Sequence, residues 1–383
     1  MFHSLRPFLL SATLLVGATS LSAAEGTDNA ALKAEIEQVL EKSQLWLAAQ
    51  QQPNGAFAPG AKFALGITGM AVDALQTAPA YLPKGGKEVD LALKFLWDHQ
   101  QTNGGVYTED EGLGNYNTSL ALMAMATTDR LEAERTKRMQ DYLFGSQNVD
   151  PKSVAFGGMG YGSRGEGNED LSNTSFAIEA LTRSGVPASD PHLQKALKFL
   201  EHCQDLSSHN DKPWAGNSGG GVYSPDESKA GGSWNPEANE PTPKLEPYGS
   251  MTYQLISSYI ALDLKPGDPR LDAAYKWVTA NYVFDRNPGM PEGKQQQGLL
   301  YYYMTMAKTF DLLNVTEVET ATGKHDWRRD LFEAIKSRAA KANLPDGSEC
   351  LVWINSADRW AEGMPHVTGP YLIKALKRIH QSL

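Results

Sequence analysis

The stretch Phe95-Leu96-Trp97-Asp98-His99-Gln100-Gln101-Thr102-Asn103-Gly104-Gly105-Val106-Tyr107, followed a short way on by Thr118-Ser119-Leu120-Ala121-Leu122-Met123-Ala124-Met125, holds the unit that decides the fold. An amphipathic helix ends in aromatic-Leu, three residues and Gln. A Gly-rich loop with an aromatic follows, then a second helix that opens on Thr. The helix-end element recurs as Trp46-Leu47…Gln51, Tyr142-Leu143…Gln147 and Phe199-Leu200…Gln204. The loop recurs as Asn54-Gly55-Ala56-Phe57, Phe156-Gly157-Gly158-Met159-Gly160-Tyr161 and Gly219-Gly220-Gly221-Val222-Tyr223, and the second helix restarts at Thr68, Thr174 and Thr252. Such self-similarity marks a repeat architecture.

Glycine after the first helix permits the left-handed backbone that ends a helix. Thr at the opening of the second can accept from its free N–H groups. The second helices are apolar or small on most faces and should be buried, whereas the first carry charge on one side, as in Glu35-Ile36-Glu37-Gln38. Two degenerate units, 271–313 and 328–378, complete six helix pairs. The expected fold is all-α: an α/α toroid (α6/α6 barrel) whose closure covers the edges an open array must cap.

Outward from the repeat, the ends of the chain carry other information. Arg6, the apolar run Pro7 to Gly17 and Ser22-Ala23-Ala24 predict a cleaved signal peptide over 1–24 and a single toroid domain over 25–383. The expected location is secreted or periplasmic, with no integral membrane segment after leader cleavage. A net charge of −10 makes nucleic acid a poor partner. Two cysteines, Cys203 and Cys350, make no disulfide framework, and their pairing stays open.

Leu47-x3-Gln51-x3-Gly55-x-Phe57 resembles the QW motif of squalene/hopene and oxidosqualene cyclases, with Phe for the usual Trp, and the Thr-led helices resemble those of cyclases and protein prenyltransferase β subunits. The likeness to this prenyltransferase/squalene-cyclase repeat superfamily covers nearly the whole chain after the leader. It implies the toroid and a structural role for the repeated Gln. It does not carry the chemistry over. The cyclase acid motif Asp-x-Asp-Asp-Thr-Ala corresponds to Asp170-Leu171-Ser172-Asn173-Thr174-Ser175, where Ser172 and Asn173 stand in place of the aspartates and can donate no strong acid proton. The prenyltransferase zinc set Asp-x-Cys with a distant His is not completed; Asp346, Cys350 and His366 come nearest. No metal or cofactor is expected.

The loops before the second helices should line a central mouth. Candidate catalytic groups there are Asp170, Asp358, Glu362 and His366, with Asp358 and Glu362 as a possible acid–base pair. Candidate ligand contacts are Tyr161, Asn173, Trp234, Tyr248, Gln297, Tyr301, Tyr302, Arg359 and Trp360. Three readings follow, in order: an exported binding or scaffold protein for a small molecule (isoprenoid or saccharide) or a protein; an isoprenoid cyclase or prenyltransferase-related enzyme; a polysaccharide lyase or glycosidase. An apolar cavity with a buried carboxylate favours the second, and an open polar groove with two carboxylates the third.

Overall fold

The computed structural model describes residues 15–58, 60, 63–83, 85–162, 168–237 and 244–383, with side chains from 28 onward. The expected leader falls largely on residues 1–14 and on side chains before 28, outside the described residues.

Among the described residues, six inner helices alternate with six outer ones. The inner set is α2 (Ala64–Gln76), α4 (Gly114–Thr127), α6 (Leu171–Arg183), α8 (Gly249–Ala261), α10 (Leu299–Leu312) and α12 (Pro365–Ser382). Each packs on the next in that order, and α12 packs back on α2, so the ring is closed. The outer set is α1 (Leu15–Ala49), α3 (Lys87–Asp98), α5 (Ala133–Ser146), α7 (Pro191–His202), α9 (Pro269–Ala280) and α11 (Trp327–Ser337). The expected contrast is present: every residue of α2 is buried, whereas α3 buries only Val89, Ala92, Leu93 and Leu96 along one stripe.

The chain is not purely helical. The antiparallel hairpins β1 (Glu317–Thr320) with β2 (Gly323–Asp326) and β3 (Ala340–Asn343) with β4 (Glu349–Val352) flank α11. In the two degenerate units, α11 ends at Ser337, ahead of β3, and α10 starts at Leu299. β4 lies against α1, where Lys42 binds Glu349 at 2.6 Å, so the second hairpin fills the outer wall where first and last units meet. Cys203 and Cys350 are separate, buried free thiols.

The repeat motif works as a staple between consecutive units. Gln147 Nε2 donates to the Gly157 carbonyl (2.8 Å) in its own loop and to the His192 carbonyl (2.9 Å) in the first turn of the next outer helix. Gln51, Gln100 and Gln204 make the same two bonds, to Gly55 and Glu88, Gly104 and Arg135, and Gly219 and Arg270. The loop glycine is held at positive φ (86° at Gly157) against that outer helix, where a Cβ would collide with the Lys195 carbonyl. The repeat Thr does not cap the inner helix, as its placement at the opening had implied. It sits one turn inside: Thr68, Thr118, Thr174 and Thr252 each accept the N–H of a loop residue (Phe57, Val106, Met159 and Gly221) at 2.8–3.0 Å. Gln thus ties loop to the next outer helix, and Thr ties the same loop to the inner helix.

The end of the barrel formed by the last turns of the inner helices is closed by charge. Asp73 (α2), 3% exposed in its side chain, meets Arg183 (α6) at 2.9 Å and Lys374 (α12). Glu179 (α6) meets Arg183 at 3.2 Å and Lys308 (α10) at 2.6 Å, and Arg378 (α12) meets Asp311 (α10). Asp73–Arg183 and Glu179–Lys308 join helices that are not neighbours, so the network crosses the barrel axis. These cations hold the Asp73 and Glu179 carboxyls well below the usual carboxylate range despite burial. Lys377 donates to the Ala74 and Thr77 carbonyls at 2.7 Å, and burial brings its ammonium down to about 7. Cations at helix C-termini also complement the helix dipoles.

Gln147→Ala leaves two carbonyls of a largely buried staple without their donor and should cost about 2 kcal/mol in urea unfolding. Gly157→Ala should cost more, because positive φ and the Lys195 carbonyl both oppose a side chain. A Gln147→Ala variant within about 0.5 kcal/mol of the parent, the range of an ordinary surface change, would contradict the staple.

Candidate functional site

At the opposite end of the barrel the first two turns of all six inner helices surround a cavity of about 330 Å³. The inner helices therefore all run in the same sense, from this mouth to the charged floor. The helices contribute Gly66, Ile67 and Met70 (α2), Tyr116 and Asn117 (α4), Ser172 and Phe176 (α6), Ser250 and Met251 (α8), Tyr301 (α10), and Val367 and Tyr371 (α12). Loops add Phe63, Leu113, Tyr161, Tyr223, Tyr248, Gly298 and the segment Trp360-Ala361-Glu362.

The wall is mainly aromatic. Phe176 meets Tyr116 edge-on at 5.2 Å and lies 6.4 Å from Tyr301, which lies 5.5 Å from Tyr371. Two of the hydroxyls are engaged: Tyr301 with Ser172 at 3.1 Å, and Tyr116 with Met70 Sδ at 3.8 Å. Burial pushes the Tyr116 phenol up to about 12.

Glu362 is the charged side chain of the lining among the described residues, and it is 1% exposed. Its Oε1 accepts the Tyr301 N–H at 2.7 Å, and its Oε2 accepts from Asn355 Nδ2 at 2.6 Å. It thereby serves the free N-terminus of α10, whose own N-cap, Gly298, offers no side chain. Burial raises the Glu362 carboxyl to about 7, against the pull of these N–H donors. Asp170, wholly buried behind the wall, caps α6: it accepts the Asn173 N–H at 2.9 Å and Asn173 Nδ2 at 2.7 Å, and interacts with the Tyr223 hydroxyl. Burial brings it up to about 6. The segment that presents Glu362 is strained, with Trp360 (φ 59°) and Ala361 (φ 62°) both left-handed. Asn355 pins it, donating its N–H to the Glu362 carbonyl at 2.9 Å and its amide to Gln296 at 2.7 Å.

Of the residues singled out in the sequence, Tyr161, Tyr248, Tyr301, Trp360 and Glu362 line the cavity together, with Asp170 and Asn173 directly behind them. The others stand elsewhere. Tyr302 turns outward and donates to the Val283 carbonyl at 2.7 Å, because three consecutive helix residues face different ways. Gln297 and Arg359 pair with each other at the rim (3.3 Å). Trp234 stands outside the cavity lining, its backbone N–H donating to the Asp226 carbonyl at 2.6 Å. Asp358 is exposed and accepts the Gly363 N–H at 3.1 Å, so it forms no acid–base pair with Glu362. His366 packs on Trp46 of α1 at 5.0 Å, and among the described residues no group of His, Cys, Asp and Glu stands close enough to hold a metal; Asp346, Cys350 and His366 do not converge. Nor, among them, is any helix long and apolar enough to cross a membrane.

Tyr116, Ser172, Phe176, Tyr223 and Tyr371 were missed. The signal was available. Gly66, Tyr116, Ser172 and Ser250 each stand two residues before the repeat Thr, and Ile67, Asn117, Met251 and Val367 stand one before it.

The raised Glu362 carboxyl gives a test. Between pH about 4.5 and 7 the unfolded chain releases this proton while the native chain keeps it, so Glu362 lowers stability as pH rises through that window. His202, brought down to about 4 by burial, acts in the opposite sense between about pH 4 and 6.5. The readout is therefore the difference between Glu362→Gln and the parent. That difference should move in favour of the variant by on the order of 2 kcal/mol from pH 5 to pH 8; a constant difference would mean Glu362 titrates as an ordinary carboxylate.

Compared with known proteins, the chain matches no family model and no curated protein by sequence. Among solved structures, it is similar to Candida albicans protein geranylgeranyltransferase-I complexed with GGPP, at a TM-score of 0.47 and 13% identity over 82% of this chain and 83% of that one. The closed ring stands on the helix contacts themselves.

Proposed function

We propose that this is an exported binding protein whose toroid holds a small, largely apolar molecule of isoprenoid character in the mouth of the ring. The observation that supports it is the aromatic-walled cavity, open at the mouth, to which all six inner helices contribute. Its volume of about 330 Å³ stands at the small end of small-molecule pockets, which suits a compact ligand such as a ten-carbon terpenoid. Export is the part of the proposal that rests on the leader alone.

Acid-initiated cyclisation fits poorly. It needs a strong acid, and burial makes both carboxyls at the mouth weaker acids than free ones. The aspartates of the cyclase motif are Ser172 and Asn173. A glycosidase reading lacks its carboxylate pair, since Asp358 stands outside. One observation keeps an enzymatic reading alive: a carboxyl near 7 on a cavity wall is suited to proton transfer at neutral pH.

A thermal-shift screen of the purified protein with ten-carbon terpenoids and with oligosaccharides tests the proposal. A terpenoid at a hundredfold its Kd should raise Tm by about 3 °C, and Ser172→Phe, which fills the mouth, should abolish the shift. Stabilisation by oligosaccharides alone would overturn the reading.

A further inference from the structure

We propose that the ligand of the mouth carries a positive charge on its apolar body, as an alkylated or protonated amine, with aromatic faces enclosing it and the Glu362 carboxylate as its counter-ion. This rests on the mouth being the binding site.

The two ends of the barrel treat their acids differently. On the floor, Asp73 and Glu179 each meet two cations within 4 Å. At the mouth, the partners of the acids among the described residues are neutral: for Glu362 the Tyr301 N–H and the Asn355 amide, and for Asp170 Asn173, the Ser172 N–H and Tyr223. A buried carboxylate without a cation is costly, and a helix N-terminus supplies about half a charge towards it. Glu362 is also the one of the two that borders the cavity. A cation in the cavity would complete what the described residues leave uncompensated.

The walls point the same way. Phe176, Tyr116, Tyr301 and Tyr371 form a contiguous aromatic corner, and the Tyr301 and Tyr116 hydroxyls are already bonded to Ser172 and to Met70 Sδ. What they offer a ligand is ring surface, and ring faces attract cations, most strongly when desolvated. Arg359 lies at the rim, its guanidinium 4.6 Å from the Trp360 ring and bonded to Gln297, so the protein already places one cation on an aromatic face at this mouth.

The experiment compares two probes of one shape, phenyltrimethylammonium and tert-butylbenzene, by titration calorimetry at pH 8, where Glu362 is mostly ionised. The cation should bind about tenfold tighter or better, and Glu362→Gln should remove most of that advantage while still binding tert-butylbenzene, which shows that the variant is folded. Should Glu362→Gln bind neither probe, Asp170→Asn serves instead and should reduce the preference. Equal or tighter binding of tert-butylbenzene by the parent would overturn the charge inference and leave the apolar cavity standing. Binding of neither probe would overturn both. A preference for the cation that survives Glu362→Gln and Asp170→Asn would remove the carboxylates from the account.

Discussion

The ring depends on one repeated set of hydrogen bonds, in which a Gln side chain clips a glycine loop to the next outer helix. Gln51, Gln100, Gln147 and Gln204 each donate twice, once into their own unit and once into the next. Because the loop glycine lies against that same outer helix, the bond fixes both distance and angle between units. A fixed step repeated around an axis brings the sixth inner helix back onto the first, where α12 meets α2. The last units replace the clip with other devices: Asn287 accepts the Ser250 N–H at 3.0 Å, and Glu362 reaches across to the N-terminus of α10. The candidate site is therefore partly made of groups that also complete the ring.

Running all inner helices in one sense gives the barrel a polarity. Their C-terminal ends meet at the floor, where Arg183, Lys308, Lys374 and Lys377 gather with Asp73 and Glu179. Their N-terminal ends meet at the mouth, where Asp170 and Glu362 supply the acids. Both placements follow the helix dipole. The difference lies in what surrounds the charges: a cross-barrel ionic network at one end, an aromatic cavity at the other. That cavity makes its carboxyls weak proton donors and, when ionised, good partners for positive charge.

Much of this architecture could be read in the residues because the staple is local and recurrent. Gln, Gly and Thr hold fixed offsets within each unit, and each has a conformational reason to be there. The role of Thr was misplaced because a hydroxyl near a helix start suggests a cap, whereas Thr118 spends it on the Val106 N–H. The two hairpins escaped because Glu317–Asp326 and Ala340–Val352 are short and polar, with no strong alternation. At the site, Tyr161, Tyr248, Tyr301 and Glu362 could be placed because they stand just before or at the opening of inner helices. Tyr302, Asp358 and His366 could not, because adjacent residues there diverge in direction and only three-dimensional packing decides which one faces the axis. Aligning the units on Thr would have pointed to Tyr116 and Ser172, since a position that faces the axis in one unit faces it in the next.

The mouth of the ring is, on this account, a chamber with apolar, aromatic walls. Crystals of the protein under xenon pressure test it most directly, since xenon enters apolar cavities and not ones filled by ordered water. The account predicts an anomalous xenon peak between Met70, Phe176 and Tyr301, lost in Ser172→Phe. A chain of ordered waters at that place, with no xenon, would contradict it.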